Sequence, residues 1–391
     1  MSGLPRALLP ILAITFVDIL GFTLLIPLLP FYATKLGASP VTVGAIYATV
    51  AVCSLISSPF WGRLSDRIGR RGVLLAAQVA ALIGFVILAT SNTLWMIFVA
   101  RAIEGLGGGG LGITQAYVTD VTAPEQRARA FGLVGATFGL GFLIGPVTAG
   151  LLVRFGYHVP FLAAAALELV TVVLTLTLLP ESRGAVRVLP PLRDIKRSLT
   201  TPPLGRLVLT QFAFSIAFTS WIGGFALYAS RVFGFGPERT STIYLVIAVI
   251  GIVVQATLIG RLVGRFGEGR VALIGFACAI VAYGAVGFVN SVALLYPFVV
   301  LWSLSSALIR PTLGTLIADA APADQRGTIL SVNDSLSNIA FVIGPLIATR
   351  VLMAAPHLTG IVPTFFSAVA LVLALGLLVR TPPHRAEPSP G

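Results

Sequence analysis

The fold is decided around Gly62-Arg63-Leu64-Ser65-Asp66-Arg67-Ile68-Gly69-Arg70-Arg71, a short, densely charged loop between two long apolar runs. Of the 391 residues, 57% are hydrophobic and only 10% are charged, and the mean hydropathy is +0.98. A soluble fold of this length could not bury so much apolar surface. The composition therefore predicts a polytopic membrane protein in contact with the lipid bilayer.

The formal net charge of +12 does not indicate nucleic-acid binding. The basic residues lie in short loops beside apolar runs, where such residues set membrane topology and face anionic lipid. Cys53 and Cys278 lie far apart inside apolar runs, which indicates neither a disulfide nor a metal site. No loop carries a catalytic motif, so we expect neither enzyme activity nor a cofactor.

Twelve apolar runs are long enough to cross about 30 Å of hydrocarbon, which takes about 20 residues. They lie near residues 7–33, 41–61, 72–91, 94–118, 130–153 and 159–180, and then near 206–230, 240–260, 271–290, 292–318, 328–354 and 360–380. The polar stretch between the two groups is the natural linker. We predict an N-terminal six-helix half at 1–180, a linker at 181–205, a C-terminal six-helix half at 206–380 and a tail at 381–391.

The basic residues orient the predicted spans. Most of the 26 Lys and Arg residues fall on the side of the membrane that carries the charged loop, the linker and the tail. Because cytoplasmic loops hold the excess of basic residues, we expect this loop and both termini to be cytoplasmic, in a multi-pass inner-membrane protein. Met1–Pro10 has no small-residue cleavage site, so we expect it to enter the first span and not to be a removed signal peptide.

The two groups of spans repeat each other in sequence. Residues 62–69 recur at 260–267, residues 120–127 recur at 319–326, and Gly145-Pro146 recurs as Gly344-Pro345. The nearly constant offset predicts two halves of the same topology, related by an axis along the membrane normal. The second loop has Gly264 where the first has Asp66, so an acidic contact made by the loop would be asymmetric.

The charged loop resembles the cytoplasmic signature of the major facilitator superfamily, and the resemblance covers nearly the whole chain. It implies a transporter in which the loop latches one face shut. The glycines would permit a tight turn, and the carboxylate would approach a helix N-terminus in the other half. The alternative is a simple positive-inside anchor. The predicted cytoplasmic gate comprises Gly62, Asp66, Arg67, Gly69, Arg70, Arg71 and Asp120.

Asp120 lies at the cytoplasmic end of the fourth predicted helix. It could form an ion pair with Arg70 or Arg71 inside its own half. It could equally be a solvated helix-end charge that contributes well under about 1 kcal/mol.

A ridge of small residues follows the fifth predicted helix and ends in Gly141, Gly145, Pro146 and Gly150. Such ridges let helix backbones approach closely. The run resembles the fifth-helix signature of drug/proton antiporters, which implies export, and ordinary tight packing holds at the same time. The chain looks closest to the tetracycline-efflux branch. It departs from that branch by having no acid in 271–290 and no histidine in 240–260, so the resemblance does not imply tetracycline as the substrate.

Ionisable residues inside the spans are functional candidates, because each costs about 2.5 to 3.5 kcal/mol at the bilayer centre. Asp18 has no local partner and is our first choice as proton carrier. Arg101 and Glu104 share a helical face and resemble the family's fourth-helix motif, which is linked to proton coupling; alternatively they form a purely structural pair. Asp334 is either a cavity carboxylate or a hydrated helix-entry residue. Glu168, on a helix that is peripheral in the family, ranks below the others.

Arg310 is the basic residue inside a span of the second half. It could bind an anionic group, pair with Asp334 or extend toward the inner interface. Aromatic rings suit a broad pocket for an apolar or cationic compound, although most rings inside spans only pack. The predicted substrate cavity comprises Phe22, Tyr47, Gln211, Phe214, Trp221, Trp302 and Arg310.

The sequence predicts an all-α membrane protein with twelve transmembrane helices in two pseudo-symmetric halves. We expect a proton-coupled antiporter, functional as a monomer, that exports small amphiphilic or drug-like compounds by alternating access. Its partners would be a small-molecule substrate, protons and the lipid bilayer. One alternative is a proton-linked importer of a small metabolite, favoured if Arg310 binds an anion. The other is a non-transporting membrane sensor or scaffold, which would not need acids inside the spans.

Overall fold

The computed structural model describes residues 8–108, 110–123, 126–182, 193, 196–197, 200–289, 291–322 and 325–378. Within these ranges the chain is almost entirely α-helical and forms no β-strand. Most of the predicted linker and the whole predicted tail lie outside the described residues.

Thirteen α-helices follow one another along the described chain. The first helix set, α1–α7, comprises Leu8–Lys35, Pro40–Ile68, Arg70–Thr90, Leu94–Gly107, Gly110–Val121, Arg127–Leu152 and His158–Leu178. The second helix set, α8–α13, comprises Leu204–Phe233, Pro237–Val253, Ile259–Ala285, Val292–Ala320, Arg326–Ala354 and Ile361–Leu378. A π-helical turn at Val254–Leu258 joins α9 to α10.

Eleven stretches of the described chain are long and apolar enough to cross a membrane. One of them, Leu94–Val121, contains both α4 and α5 and is interrupted at Gly108 (φ 72°). Another, Pro237–Phe288, is 52 residues long and has a non-helical backbone at Gly267 (φ 76°, ψ 158°). Gly69, between α2 and α3, has a similar conformation (φ 103°, ψ 162°). Glycine adopts such positive φ angles without steric cost, so each of the two repeated motifs turns on a glycine.

The two helix sets pack internally in the same way. In the first set, α1 packs against α6 and α7, α2 against α4, and α3 against α4 and α7. In the second set, α8 packs against α12 and α13, α9 against α11, and α10 against α11 and α13. When the helices are matched in chain order, with α4 and α5 together matched to α11, each of these neighbours in the first set has its counterpart in the second.

The two sets meet where α2 packs against α12 and where α6 packs against α9. Both contacts depend on a glycine. A Cβ atom added at Gly44 would lie 3.0 Å from the carbonyl oxygen of Pro345, and one added at Gly150 would lie 2.8 Å from the Cβ of Ser241. These distances are shorter than normal packing allows, so the absence of a side chain brings the sets together.

Successive long helices run in alternating directions, so their ends form two faces of the bundle. We call the face formed by residues 68–70, 178–182 and 320–322 the motif face. The face formed by residues 35–40, 153–158, 233–237 and 354–361 is the opposite face. The glycine contacts between α2 and α12 and between α6 and α9 lie toward the opposite face.

Candidate functional site

A pair of carboxyl groups lies between α1 and α7. Glu168 projects from α7 toward α1, where a Cβ added at Gly21 would lie 3.4 Å from its Oε1 atom. Asp18 lies about one turn before Gly21 on the same helix, which places its carboxyl group beside that of Glu168. An ionised carboxylate only accepts hydrogen bonds, so a hydrogen bond within this pair requires a proton on one of the two groups. The Thr171 hydroxyl also donates to Glu168 Oε2, at 3.1 Å.

An ion pair lies nearby on α4. Arg101 and Glu104 are in direct contact across one turn of the helix, as predicted, and their side chains are 3% and 14% exposed. Gly84 allows α3 to approach, because a Cβ added there would lie 3.0 Å from the carbonyl oxygen of Ala100. The guanidinium carbon of Arg101 lies 5.9 Å from the ring centroid of Phe85, which adds a cation–π contact.

These two pairs form one group, which we call the acid cluster: Asp18, Arg101, Glu104 and Glu168. Glu104 acts electrostatically on both Asp18 and Glu168. Asp18 is partly exposed, whereas Glu168 is only 1% exposed. The structure therefore brings together three of the four residues predicted for proton coupling. Asp334 belongs to α12, and its side chain lies outside those that the structure describes.

Glu168 was ranked low from the sequence because its helix is peripheral in the family resemblance. In the structure its carboxyl group faces inward, against α1 and not toward lipid. The signal that could have promoted it was present in the sequence: an acid inside an otherwise apolar span is costly unless it has a partner.

Arg70 is the centre of the charged contacts at the motif face. Its NH1 atom lies 2.6 Å from Asp66 Oδ1, and its Nε atom lies 3.0 Å from Asp120 Oδ2. It also donates to Ser65 Oγ at 2.5 Å. Of the two alternatives for Asp120, the structure shows the ion pair, and its partner is Arg70. The ion pair described for Asp66 stays within the first helix set, and the described residues show no contact of Asp66 with a helix N-terminus of the second set.

A different acid, Glu181, occupies the N-terminus of α3. Its Oε1 atom accepts hydrogen bonds from the backbone N–H groups of Arg71, at 3.2 Å, and Ser182, at 3.1 Å. The Arg71 side chain in turn donates to the carbonyl oxygen of Thr175 at 3.1 Å. A carboxylate in this position satisfies free N–H groups and favours the helix dipole. The segment after α7 is thereby tied to the motif.

The charged stretch itself is less of a loop than the sequence predicted. Helix α2 continues to Ile68, so Gly62 lies inside a helix and the turn is made at Gly69 alone. A Cβ added at Gly62 would meet nothing within 4 Å, whereas one added at Gly69 would overlap the Glu181 carboxylate. Arg67 is exposed. The prediction that both glycines shape the turn is therefore wrong for Gly62.

The glycines of the predicted antiporter motif face two different helices. Gly141 and Gly145 lie against α1, where the Thr23 hydroxyl donates to the carbonyl oxygen of Gly141 at 2.9 Å. Gly150 lies against α9, in the second set, and Pro146 lies inside α6. The contact with α1 is repeated in the second set, where the Thr219 hydroxyl donates to the carbonyl oxygen of Ala340 at 2.8 Å.

The predicted cavity residues divide into accessible and buried ones. Phe22 is 41% exposed, and Tyr47 and Gln211 are partly exposed. Arg310 is exposed, with its guanidinium carbon 5.0 Å from the ring centroid of Phe218. By contrast, the rings of Phe214, Trp221 and Trp302 are each at most 3% exposed. They pack into the core of the second set and offer a substrate almost no surface in this structure.

An ion pair joins the two helix sets at the opposite face. An Nη atom of Arg154 lies 3.2 Å from a carboxylate oxygen of Glu238, and both side chains are largely exposed. Beside them is a cavity of about 320 Å³, lined in part by Tyr157. Partial burial raises the pKa of the Tyr157 phenol above its ordinary value. Tyr157 therefore remains neutral beneath the ammonium group of Lys35, 5.3 Å from its ring centroid.

A bundle of membrane-spanning helices that holds charged side chains in its interior is the arrangement of a membrane transporter. The chain belongs to the Major Facilitator Superfamily, whose family model matches residues 11–345 and 254–391. It is therefore a multi-pass inner-membrane protein that acts on small-molecule substrates, and it is not an enzyme.

The relatives include drug-resistance proteins. The chain is 31% identical over 356 residues to the class C tetracycline resistance protein of Escherichia coli, covering 88% of this chain and 89% of the relative. It is 27% identical over 376 residues to multidrug resistance protein 2 of Bacillus subtilis (strain 168), covering 93% and 92%. A solved POT family transporter in complex with 5-aminolevulinic acid has a TM-score of 0.77 at 18% identity, covering 96% of each chain. The human organic anion transporter MFSD10 has a TM-score of 0.71 at 22% identity, covering 95% of this chain and 99% of that one. These structures share the fold.

Proposed function

We propose that the protein is a proton-coupled antiporter that exports small amphiphilic or drug-like compounds across the inner membrane and functions as a monomer. The observation that carries the proposal is the acid cluster. Three carboxyl groups and one guanidinium lie inside the first helix set, and Asp18 among them is partly exposed. Charges so placed are expensive in a membrane, and a structural role alone would not need a partly exposed acid among them. The names of the drug-resistance relatives support export.

The two helix sets would be the moving halves of this transporter, residues 1–180 and 206–380, joined by a linker at 181–205 and followed by a tail at 381–391. The repeated packing of α1–α7 and α8–α13 supports this division, as do the matching conformations of Gly69 and Gly267. If the break at Gly267 divides the span Pro237–Phe288, the spans number twelve. Both termini are then on the motif face, which the excess of basic residues assigns to the cytoplasm.

Alternating access would proceed by rocking of one half against the other. Contacts between the sets are close toward the opposite face, at the Arg154–Glu238 pair and at Gly44 and Gly150. Toward the motif face, a Cβ added at Gly135 would meet nothing within 4 Å, and the same holds for Gly112, Gly132 and Gly314. This distribution supports a state open at the motif face, which is the cytoplasmic side in the proposed orientation.

The motif would act as the cytoplasmic gate. In the open state Arg70 holds Asp66 and Asp120 together within the first half. Closing the motif face would bring the second half near, and Asp66 could then exchange Arg70 for helix N–H groups of that half. Glu181 would keep α3 fixed while this exchange takes place.

A second candidate function is import of an anionic metabolite. Arg310 favours it, because the guanidinium is exposed beside an aromatic ring, and such a group binds carboxylates or phosphates well. Coupling through the acid cluster would be the same, and only the direction and charge of the substrate would differ.

Transport in inverted membrane vesicles distinguishes these functions. With an imposed proton gradient, acidic inside, we expect the wild type to accumulate ethidium, and Asp18→Asn to lose gradient-driven accumulation. Glu268→Gln, which removes an acid near the Gly267 turn, is the matched control and should transport normally. Unchanged coupled transport by Asp18→Asn would remove Asp18 as proton carrier, and gradient-driven movement of substrate in the opposite sense would overturn the exporter assignment.

A further inference from the structure

Glu168 differs from Asp18 in its exposed fraction, although the two carboxyl groups are neighbours. Glu168 is 1% exposed, whereas Asp18 is partly exposed. The bare backbone of Gly21 gives Glu168 its approach to α1, and Thr171 holds the other carboxylate oxygen. The pair therefore has an accessible member on α1 and an enclosed member on α7.

The proximity of the two carboxyl groups favours a shared proton. Two ionised carboxylates have no hydrogen-bond donor between them, whereas one proton gives the pair a hydrogen bond and removes one of two adjacent negative charges. A second carboxylate also disfavours the loss of that proton, because it would leave two negative charges side by side. Under such coupling the titration belongs to the pair and not to either residue.

We propose that Glu168 is a second proton-carrying residue, which holds one proton jointly with Asp18, so that Asp18 exchanges the proton with the open space and Glu168 stores it away from water. This deepens the proposed antiport function and rests on it. In each cycle an O–H bond of the pair breaks, the proton leaves through Asp18, and both carboxylates remain. The bond reforms when a proton enters from the other side.

The charge balance of the acid cluster favours exchange of this proton for a cation. With the shared proton in place, the two pairs together carry a net charge of −1, because Arg101 neutralises Glu104. Without it the net charge is −2, and a cationic substrate near Asp18 would restore the balance. A cationic substrate and a proton that neutralise the same negative charge compete with each other. Binding of one then weakens binding of the other, as antiport requires.

The other ionisable groups on helices packed against α1 and α7 are less suited to supply this charge. Tyr47 of α2 and Tyr244 of α9 are phenols, which are neutral at physiological pH. Arg70 and Arg71 lie roughly 20 Å from Gly84 along α3, by the helical rise. Cys53 of α2 is a thiol, which cannot carry a positive charge. The remaining groups lie toward the ends of their helices: Tyr32, Lys35, Arg63, Asp66, Arg67, Tyr117, Asp120, Arg127, Arg129, His158, Arg206, Tyr228, Arg231, Glu238 and Arg239. Arg101 and Glu104 are thus the charged groups that the described structure places beside the pair.

Infrared difference spectroscopy of the purified protein, in which the spectrum of each variant is subtracted from that of the wild type, tests the pair without measuring transport. At neutral pH the wild type should show the C=O stretch of a protonated, hydrogen-bonded carboxyl group. Asp18→Asn and Glu168→Gln should each remove or displace this band, and the double variant, which retains neither carboxyl group, should show no band from the pair. Glu268→Gln should leave it unchanged. The proposal is overturned if the band is intact in Glu168→Gln. If Glu168→Gln fails to fold, an unaffected band in Asp18→Asn overturns it instead.

The pH profile of ethidium transport separates proton storage from a merely structural role. We expect Glu168→Gln to displace the pH of half-maximal transport by about one unit or more, the coupling expected of interacting sites. Glu168→Asp should keep the wild-type profile at a reduced rate. A lower rate with an unchanged profile in Glu168→Gln overturns the proposal. If the wild type transports no ethidium while the infrared result holds, the function fails and the shared proton stands.

Discussion

Gly145→Ala is expected to destabilise the protein, while Gly135→Ala, ten residues earlier on the same helix, is not. A Cβ at Gly145 would overlap the Thr23 hydroxyl and would lie 2.8 Å from the Thr23 Cβ and 3.2 Å from its carbonyl carbon. At Gly135 it would meet nothing within 4 Å. Both substitutions gain roughly 0.5 to 1 kcal/mol from helix propensity. Overpacking costs typically about 1 to 3 kcal/mol, so only Gly145→Ala should show a net loss, of up to about 2 kcal/mol.

Thermal unfolding in detergent, followed by intrinsic fluorescence, measures the difference. Gly135→Ala should unfold at or slightly above the wild-type midpoint, and Gly145→Ala below it. Adding Thr23→Ala to Gly145→Ala should recover part of the loss, because it removes the nearest atom, and this non-additivity identifies the contact. Gly344→Ala should behave like Gly145→Ala, since a Cβ there would overlap Thr219. Equal midpoints for the two α6 variants would refute the packing argument.

Two further predictions concern the faces of the bundle. If the sets must separate at the opposite face, a short bifunctional thiol cross-linker should halt ethidium transport by the double variant Arg154→Cys/Glu238→Cys. It should not halt transport by either single variant, and continued transport by the cross-linked double variant would contradict the prediction. Glu181→Gln should lower the free energy of unfolding by about 0.3 to 1 kcal/mol, because it removes the charge at the N-terminus of α3. Thermal unfolding beside Glu268→Gln measures it, and identical midpoints would count against the capping role.

The sequence was sufficient for features that depend on neighbours along one helix or on repetition. The apolar runs predicted membrane spans, the contact of Arg101 with Glu104 follows from their helical spacing, and the recurring motif predicted the matching turns at Gly69 and Gly267. Asp120 and Arg70 could be paired because both were assigned to the same face. Each of these inferences needs only helical geometry and the period of the repeat.

Contacts between helices far apart in the chain could not be read in this way. Whether Glu168 points at lipid or at α1 depends on the rotation of α7 about its axis, which an almost wholly apolar helix does not reveal. The cap that Glu181 forms on α3 depends on where the chain leaves α7. The burial of Trp221 and Trp302 likewise depends on their packing against each other, with ring centroids 5.5 Å apart.

The two helix sets pack alike but carry different ionisable and aromatic side chains. The described acid cluster belongs wholly to the first helix set, while the second set offers Arg310 beside Phe218 and a core of packed aromatic rings. A proton held by the first half and a substrate that touches the second would be coupled only through the relative position of the halves.

The glycine contact between α2 and α12 determines how far the rest of α2 moves when one half rocks against the other. Gly44 lies at one end of α2 and Gly62 near the other, separated by about 27 Å of helix at 1.5 Å per residue. If the helix turns as a rigid lever about Gly44, each degree of rotation displaces Gly62 by about 0.5 Å. The tight contact at Gly44 permits α2 to tilt against α12 but leaves little room for the helices to slide. A small change of angle at the opposite face therefore produces an opening of several ångströms beside Asp66.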